Sequence, residues 1–210
     1  MGDAAFPCFL DVEATGFGQD SYPIEIAWSD EAGEIHRCLI DPTPVPSWTS
    51  WSDDAEKVHG IDRERLQRNG WPPEYVANRL TENLAGRTVY TDAPDYDARW
   101  VGRLFDAIGQ PLPCRFDHVD ELLLTLMRKP NDAVWQAMVR IDTLKREVAA
   151  VSSGKHSAGY DVGYLLQLWR RANGSAVKMN HGIGPLPETT LTGTFARVKP
   201  VSERHLRPKS

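Results

Sequence analysis

Only three cysteines, Cys8, Cys38 and Cys114, occur in 210 residues, far apart and with no Cys-x-x-Cys pair. That scarcity excludes a disulfide framework and a zinc ribbon and fits a reducing compartment, so a cytoplasmic location is expected. Long apolar runs are missing too. Nothing approaches the ~18 residues of a membrane-spanning helix, and no membrane partner is expected. The stretch Met1–Phe6 lacks a basic n-region, which speaks against a secretory leader, and Phe6 stands where a myristoylation signal has Ser or Thr. Gly16-Phe17-Gly18 lacks the further glycines or the lysine of a dinucleotide or phosphate-binding loop.

What is present is acid. The chain carries 24 Lys and Arg against 29 Asp and Glu, a net charge of −5. Residues 172–210 are net +4, so the remainder is net −9. An acidic body rules out broad electrostatic coating of a duplex. Excess carboxylate is also what a site that recruits divalent metal would show. The length predicts one domain, over 1–172, followed by a basic, Pro- and Gly-containing tail over 173–210 that is expected to be loosely ordered. With 41% apolar residues the domain can bury a core without staples.

Periodicity predicts strands over 5–13, 23–29 and 34–40, the last two joined by a turn at Glu31-Ala32-Gly33. A Pro- and Trp-rich loop spans 41–51. Ser52 opens a short helix that stops near His59-Gly60. Pro72-Pro73 opens a helix over 73–85, and Arg87–Thr91 is a brief strand. A helix over 96–108 carries Trp100, Val101, Leu104, Phe105 and Ile108 on one face. A short strand near 114–117 precedes helices over 119–128, 132–149 and 157–172. Three early strands and then strand–helix alternation predict an α/β fold, a mixed sheet with helices packed on it.

Three groups of acids stand out. In a strand, residues i and i+2 share a side, so Asp11 and Glu13 project together just after the apolar Phe9-Leu10. Two like charges at the end of a buried strand repel, and a cation relieves them; oxygen ligands suit Mg²⁺ or Mn²⁺. Asp97 heads the stripe Trp100, Val101, Leu104 and so belongs to the face that packs on the sheet. Asp92 and Asp95 lie nearby, but off that stripe. Asp161 shares a helix face with Ala158 and Leu165, where an acid is costly unless paired or metal-bound. His156 sits just before that helix.

Asp11-x-Glu13 with Thr15-Gly16, then Tyr96-Asp97 ahead of a helix, then His156-x₄-Asp161, resembles the DEDDh group of 3′-to-5′ exonucleases, the DnaQ-like members of the ribonuclease H-like superfamily. The likeness spans about residues 6–170 and includes Glu56-Lys57-Val58-His59-Gly60-Ile61, similar to the family's segment between its first two motifs. The second motif departs from the family's Asn-x-x-Phe-Asp in lacking the Asn and in having Tyr for Phe.

The resemblance implies a ribonuclease H-like mixed sheet of about five strands flanked by helices. It also implies hydrolysis of phosphodiester bonds at single-stranded or frayed 3′ ends of DNA or RNA, with two Mg²⁺ or Mn²⁺ ions. Asp11, Glu13 and Asp161 would hold the ion carrying the attacking water. Asp11 would bridge to a second ion supported by Asp97, and His156 would take the proton. Thr15 and Gly16 would lie near the terminal sugar, and Phe17 would stack on a base. Trp48 and Trp51 are expected to pack against neighbouring loops, and His36, His59 and His118 to serve structure. The competing expectation is a silent nucleic-acid-binding module on the same scaffold, for which His156 would be superfluous.

Overall fold

The computed structural model describes residues 6–152 and 157–174; His156 and the tail beyond Gly174 lie outside the described residues. Three strands come first: β1 (Cys8–Ala14), β2 (Pro23–Ser29) and β3 (Ile35–Leu39). They pair antiparallel in succession. Asp30 shapes the β2–β3 turn by accepting the Ala32 and Glu34 amides, each at 2.9 Å, and Gly33 supplies the positive φ of +77°. Three helices follow: α1 (Asp53–His59), α2 (Arg63–Asn69) and α3 (Pro73–Leu84). β4 (Thr88–Thr91) leads into α4 (Pro94–Ala107) and β5 (Arg115–His118) into α5 (Val119–Met127). The long α6 (Val134–Val151) and α7 (Ala158–Ala172) complete the described elements.

The sheet order is β3-β2-β1-β4-β5, with β4 parallel to β1 and β5 parallel to β4. This is the expected mixed five-stranded α/β architecture. Its two faces carry two cores. Leu10, Val12, Ile24, Ile26 and Trp28 meet α3 and α4 on one side. Phe9 and Ala27 meet α5, α6 and α7 on the other. Each fully buried large side chain of this kind contributes roughly 1.5–3 kcal/mol relative to exposure. All seven residues of β2 are buried, so its alternation sorts side chains between two cores rather than between core and water.

The register creates the crevice. β4 reaches β1 only at Cys8 and Phe9, so β1 runs on past its parallel neighbour. The chain leaving β4 turns to the first core through α4, whereas the chain leaving β5 turns to the second through α5. Such a divergence at the carboxyl ends of parallel strands leaves an opening where ligands bind in α/β sheets. Asp11 and Glu13 lie on the stretch of β1 beside it.

The Pro- and Trp-rich loop packs as expected. Trp48 is buried and stacks on Tyr22 at 5.0 Å. Trp51 donates to Glu56 at 2.7 Å beneath the Arg63 guanidinium, which lies 4.5 Å from its ring. His36 pairs with Asp30 at 2.9 Å, and His118 caps α5 by accepting the Asp120 amide at 3.0 Å. Both are structural histidines.

Candidate active site

Three elements, β1, α4 and α7, deliver carboxylates to one cleft of about 230 Å³. β1 supplies Asp11 and Glu13, and α7 brings Asp161 across the second core. One oxygen from each of these three lies within 4.8 Å of the others. The chain after β4 supplies Asp92 and α4 supplies Asp97, which make a second set with Asp11 within the same 4.8 Å. Asp11 belongs to both sets. The three groups of acids read from the sequence thus converge, and Asp92, which the apolar stripe placed aside, joins them from an exposed position. Asp95 is in neither set. The signal for Asp92 was its adjacency to the end of β4; helical phase carries no information about a residue that precedes the helix.

Asp97 is 2% exposed. It accepts a hydrogen bond from the Thr91 hydroxyl and another from the Val12 amide. It thereby ties the start of α4 to β1 at a point β4 does not reach. Helix phase puts it there: Trp100, Val101 and Leu104 are buried on the same face.

Electrostatics are one-sided. Burial pushes the Asp11 carboxyl well above its ordinary range, and the charges of Asp97, Asp161, Glu13 and Asp92 push it further. Burial, with Glu25 and Asp161, raises Glu13 to about 7. Burial also raises Asp97 to about 7; Asp92 and Glu13 add to this, while the Thr91 and Val12 hydrogen bonds oppose it. Asp11, Glu13 and Asp97, whose charged forms are disfavoured, stand with Asp161 and Asp92 in sets of hard oxygen donors at chelating separation, and these fit a divalent cation of the Mg²⁺ or Mn²⁺ kind.

The lip of the cleft is aromatic. Phe17 is 73% exposed and sets its ring edge on Tyr96, with centroids 5.4 Å apart. Arg99 lies 5.0 Å from the Tyr96 ring centre and donates to the Phe17 carbonyl at 3.2 Å, tying this loop to α4. Gly16 lines the cleft at φ +151°, where an added Cβ would stand 3.2 Å from the Ser52 Cβ. Thr15 is 1% exposed and engaged within the fold. Its hydroxyl accepts the Tyr22 amide at 3.2 Å, its own amide donates to the Tyr22 carbonyl, and its carbonyl accepts the Ser52 amide. Ser52 in turn caps α1 by accepting the Ala55 amide. The Thr15-Gly16 turn and α1 therefore position each other.

His59 is a residue that sequence reasoning assigned to a turn alone. Its Nδ1 does accept the Ile61 amide at 3.0 Å, yet the ring also lines the cleft. Its Nε2 is buried without a hydrogen-bond partner among the described residues, and burial lowers its pKa.

No protein-family model and no curated protein matches the sequence. Solved structures do match. Exonuclease I of E. coli in complex with a dA16 oligonucleotide superposes with a TM-score of 0.57 at 14% identity over 80% of this chain. A moderately thermophilic exonuclease I from Methylocaldum szegediense gives 0.53 at 17% identity over 78%. A zinc-bound E. coli exonuclease I–single-stranded DNA complex gives 0.52 at 14% identity over 78%. The chain spans about two fifths of the length of these proteins, 42%, 40% and 40% respectively. At such identities the likeness shows a shared α/β fold.

Proposed function

We propose that this chain is a divalent-metal-dependent 3′-to-5′ exonuclease that shortens single-stranded or frayed DNA or RNA and releases nucleoside 5′-monophosphates. The observation that carries the reading is the convergence of Asp11, Glu13, Asp97 and Asp161 on one cleft beneath an exposed aromatic lip. The fold likeness to exonuclease I, whose structures hold single-stranded oligonucleotides, supports it. Divalent ions held there would supply an activated water and stabilise the leaving oxygen of the displacement.

The chain's own residues do the remainder. Asp11, shared between the two carboxylate sets, would contribute to both positions. Glu13 and Asp161 would hold one ion, and Asp97, with the exposed Asp92, the other. Phe17 and Tyr96 offer faces for the terminal bases, a sequence-tolerant contact worth ~1–3 kcal/mol per base. Gly16 lets the strand backbone approach closely.

End-labelled single-stranded DNA and RNA oligomers, digested side by side with Mg²⁺, Mn²⁺ or EDTA, test the reading and decide between the two polymers. Stepwise loss from the 3′ end, blocked by a 3′-phosphate and abolished by EDTA, is the expected result. Cutting of a circular single strand, or undiminished activity in EDTA, would overturn it. Binding without cleavage would favour the silent module.

His156 immediately precedes the Ser157 cap of α7 and lies five residues before Asp161. As the general base it would accept the proton of the attacking water, a role suited to an ordinary imidazole pKa near 6.5. His156→Ala is expected to lower kcat by about 10²–10⁴-fold while calorimetry shows unchanged Mn²⁺ binding. The acidic limb of the pH–rate profile should flatten with it. A loss of Mn²⁺ binding as severe as that in Asp161→Ala would make His156 a ligand instead.

A further inference from the structure

Glu25 is a carboxylate in the centre of β2, 1% exposed, and none of the roles above uses it. Its position is unfavourable on its face. It stands directly opposite Glu13 in the antiparallel pair, where like charges destabilise a sheet. Burial raises its pKa, which Arg37, the Ala158 amide and Arg65 oppose. An alanine or leucine would fill the strand without these costs.

What Glu25 makes there is a contact across 133 residues of sequence. Its Oε2 accepts the backbone amide of Ala158 at 3.0 Å, and its Oε1 lies 3.5 Å from Arg37 Nε. Ala158 is the first residue of α7, and its amide is one of those a helix leaves unpaired at its start. Ser157 satisfies the Tyr160 amide at the same end, at 3.4 Å. Asp161 stands three residues after Ala158, one turn along the same face. The start of α7 is thus fastened to the strand opposite Glu13, one turn before Asp161.

We propose that Glu25 is a positioning residue of the carboxylate site: by holding the Ala158 amide it sets the depth and rotation of the first turn of α7, and so the placement of Asp161. This rests on the metal-site reading above. Residues behind metal ligands typically change metal affinity about 10–100-fold when altered.

The test separates reach from charge with two conservative variants of the full chain. Glu25→Gln keeps an oxygen at the same reach and removes the charge; Glu25→Asp keeps the charge and withdraws the oxygen by one methylene. Isothermal calorimetry with Mn²⁺ alone should give Glu25→Gln a Kd within about twofold of the parent and Glu25→Asp a Kd about 10-fold weaker. Amide exchange at Ala158 should quicken in Glu25→Asp and not in Glu25→Gln. With an oligonucleotide substrate, Glu25→Asp should lose kcat at fixed Mn²⁺ while KM holds. The reverse order, with Gln the damaged variant, would make the charge the cause and overturn the proposal. So would unchanged Mn²⁺ affinity and Ala158 exchange in Glu25→Asp, even if the parent binds Mn²⁺ normally. A parent protein that binds no Mn²⁺ would overturn the metal-site reading together with this one.

Discussion

The Asp11→Asn protein is expected to lose about 10³-fold or more of its nucleotide release while its metal-free form melts higher than the parent. Among the described residues Asp11 alone belongs to both carboxylate sets, so its removal would disturb both cation positions at once. Several kcal/mol of transition-state stabilisation come from such ions, and each 1.36 kcal/mol is tenfold in rate. The gain in stability has the same origin. Without a cation, burial and four neighbouring acids disfavour the Asp11 charge, and Asn removes that charge at nearly constant shape. Relief of this kind is typically worth about 0.5–2 kcal/mol, or roughly 1–8 °C in Tm for a chain of this size.

The sign with pH follows from Glu13 and Asp97, each raised to about 7 from carboxylate values of 4.5 and 3.8. Between those limits the folded protein holds protons that the unfolded chain has released, so stability falls as pH rises from about 4 to about 7 and stays low above. Melts in EDTA from pH 5 to 8 should show that decline. Mn²⁺ should restore Tm at pH 8 and do little at pH 5, and Asp11→Asn should flatten the curve. A metal-free Asp11→Asn protein that melts below the parent at pH 8 would show that the cluster is not under repulsion.

Elements with a clear apolar period were legible from sequence to within a residue or two: β2, α3, α4 and α7 fall nearly where spacing places them. α2 was not. Its seven residues bury only Leu66, and one apolar contact makes no period; it is the Asp62 cap, accepting the Arg65 amide at 2.7 Å, that holds its start. Sheet order was beyond periodicity too, because the pairing of β1 with β4 joins segments about 80 residues apart. The acids Asp11, Glu13, Asp97 and Asp161 were readable because each stands on an apolar face, where a charge needs a reason. Glu25 broke the same rule and escaped notice. Alternation in Pro23–Ser29 suggests one wet face, and only the packing of α7 across that face makes Glu25 a buried acid. His59 hid behind a sufficient local role in the turn after α1.

Among the acids that follow β4, Asp97→Asn is expected to lower kcat by about 10²-fold or more, Asp95→Asn to change it less than twofold, and Asp92→Asn to fall between. The order follows from enclosure. Asp97 is fixed by the Thr91 hydroxyl and the Val12 amide, so its carboxylate is held ready and costs no reorganisation in the reaction. Asn would preserve much of that framework and remove the charge, so its effect falls on catalysis rather than folding. Asp92 reaches the same set from an exposed position, where water and salt screen it. Its deficit should therefore shrink as Mn²⁺ is raised, whereas that of Asp97→Asn should persist at saturating metal. Asp95 points to neither set and serves as the control for charge alone. Kinetics at several Mn²⁺ concentrations, with kcat and KM separated, distinguish the three. If Asp95→Asn were the inactive variant, α4 would have to be rotated relative to β1, and the burial of Trp100, Val101 and Leu104 against the first core would have to change with it.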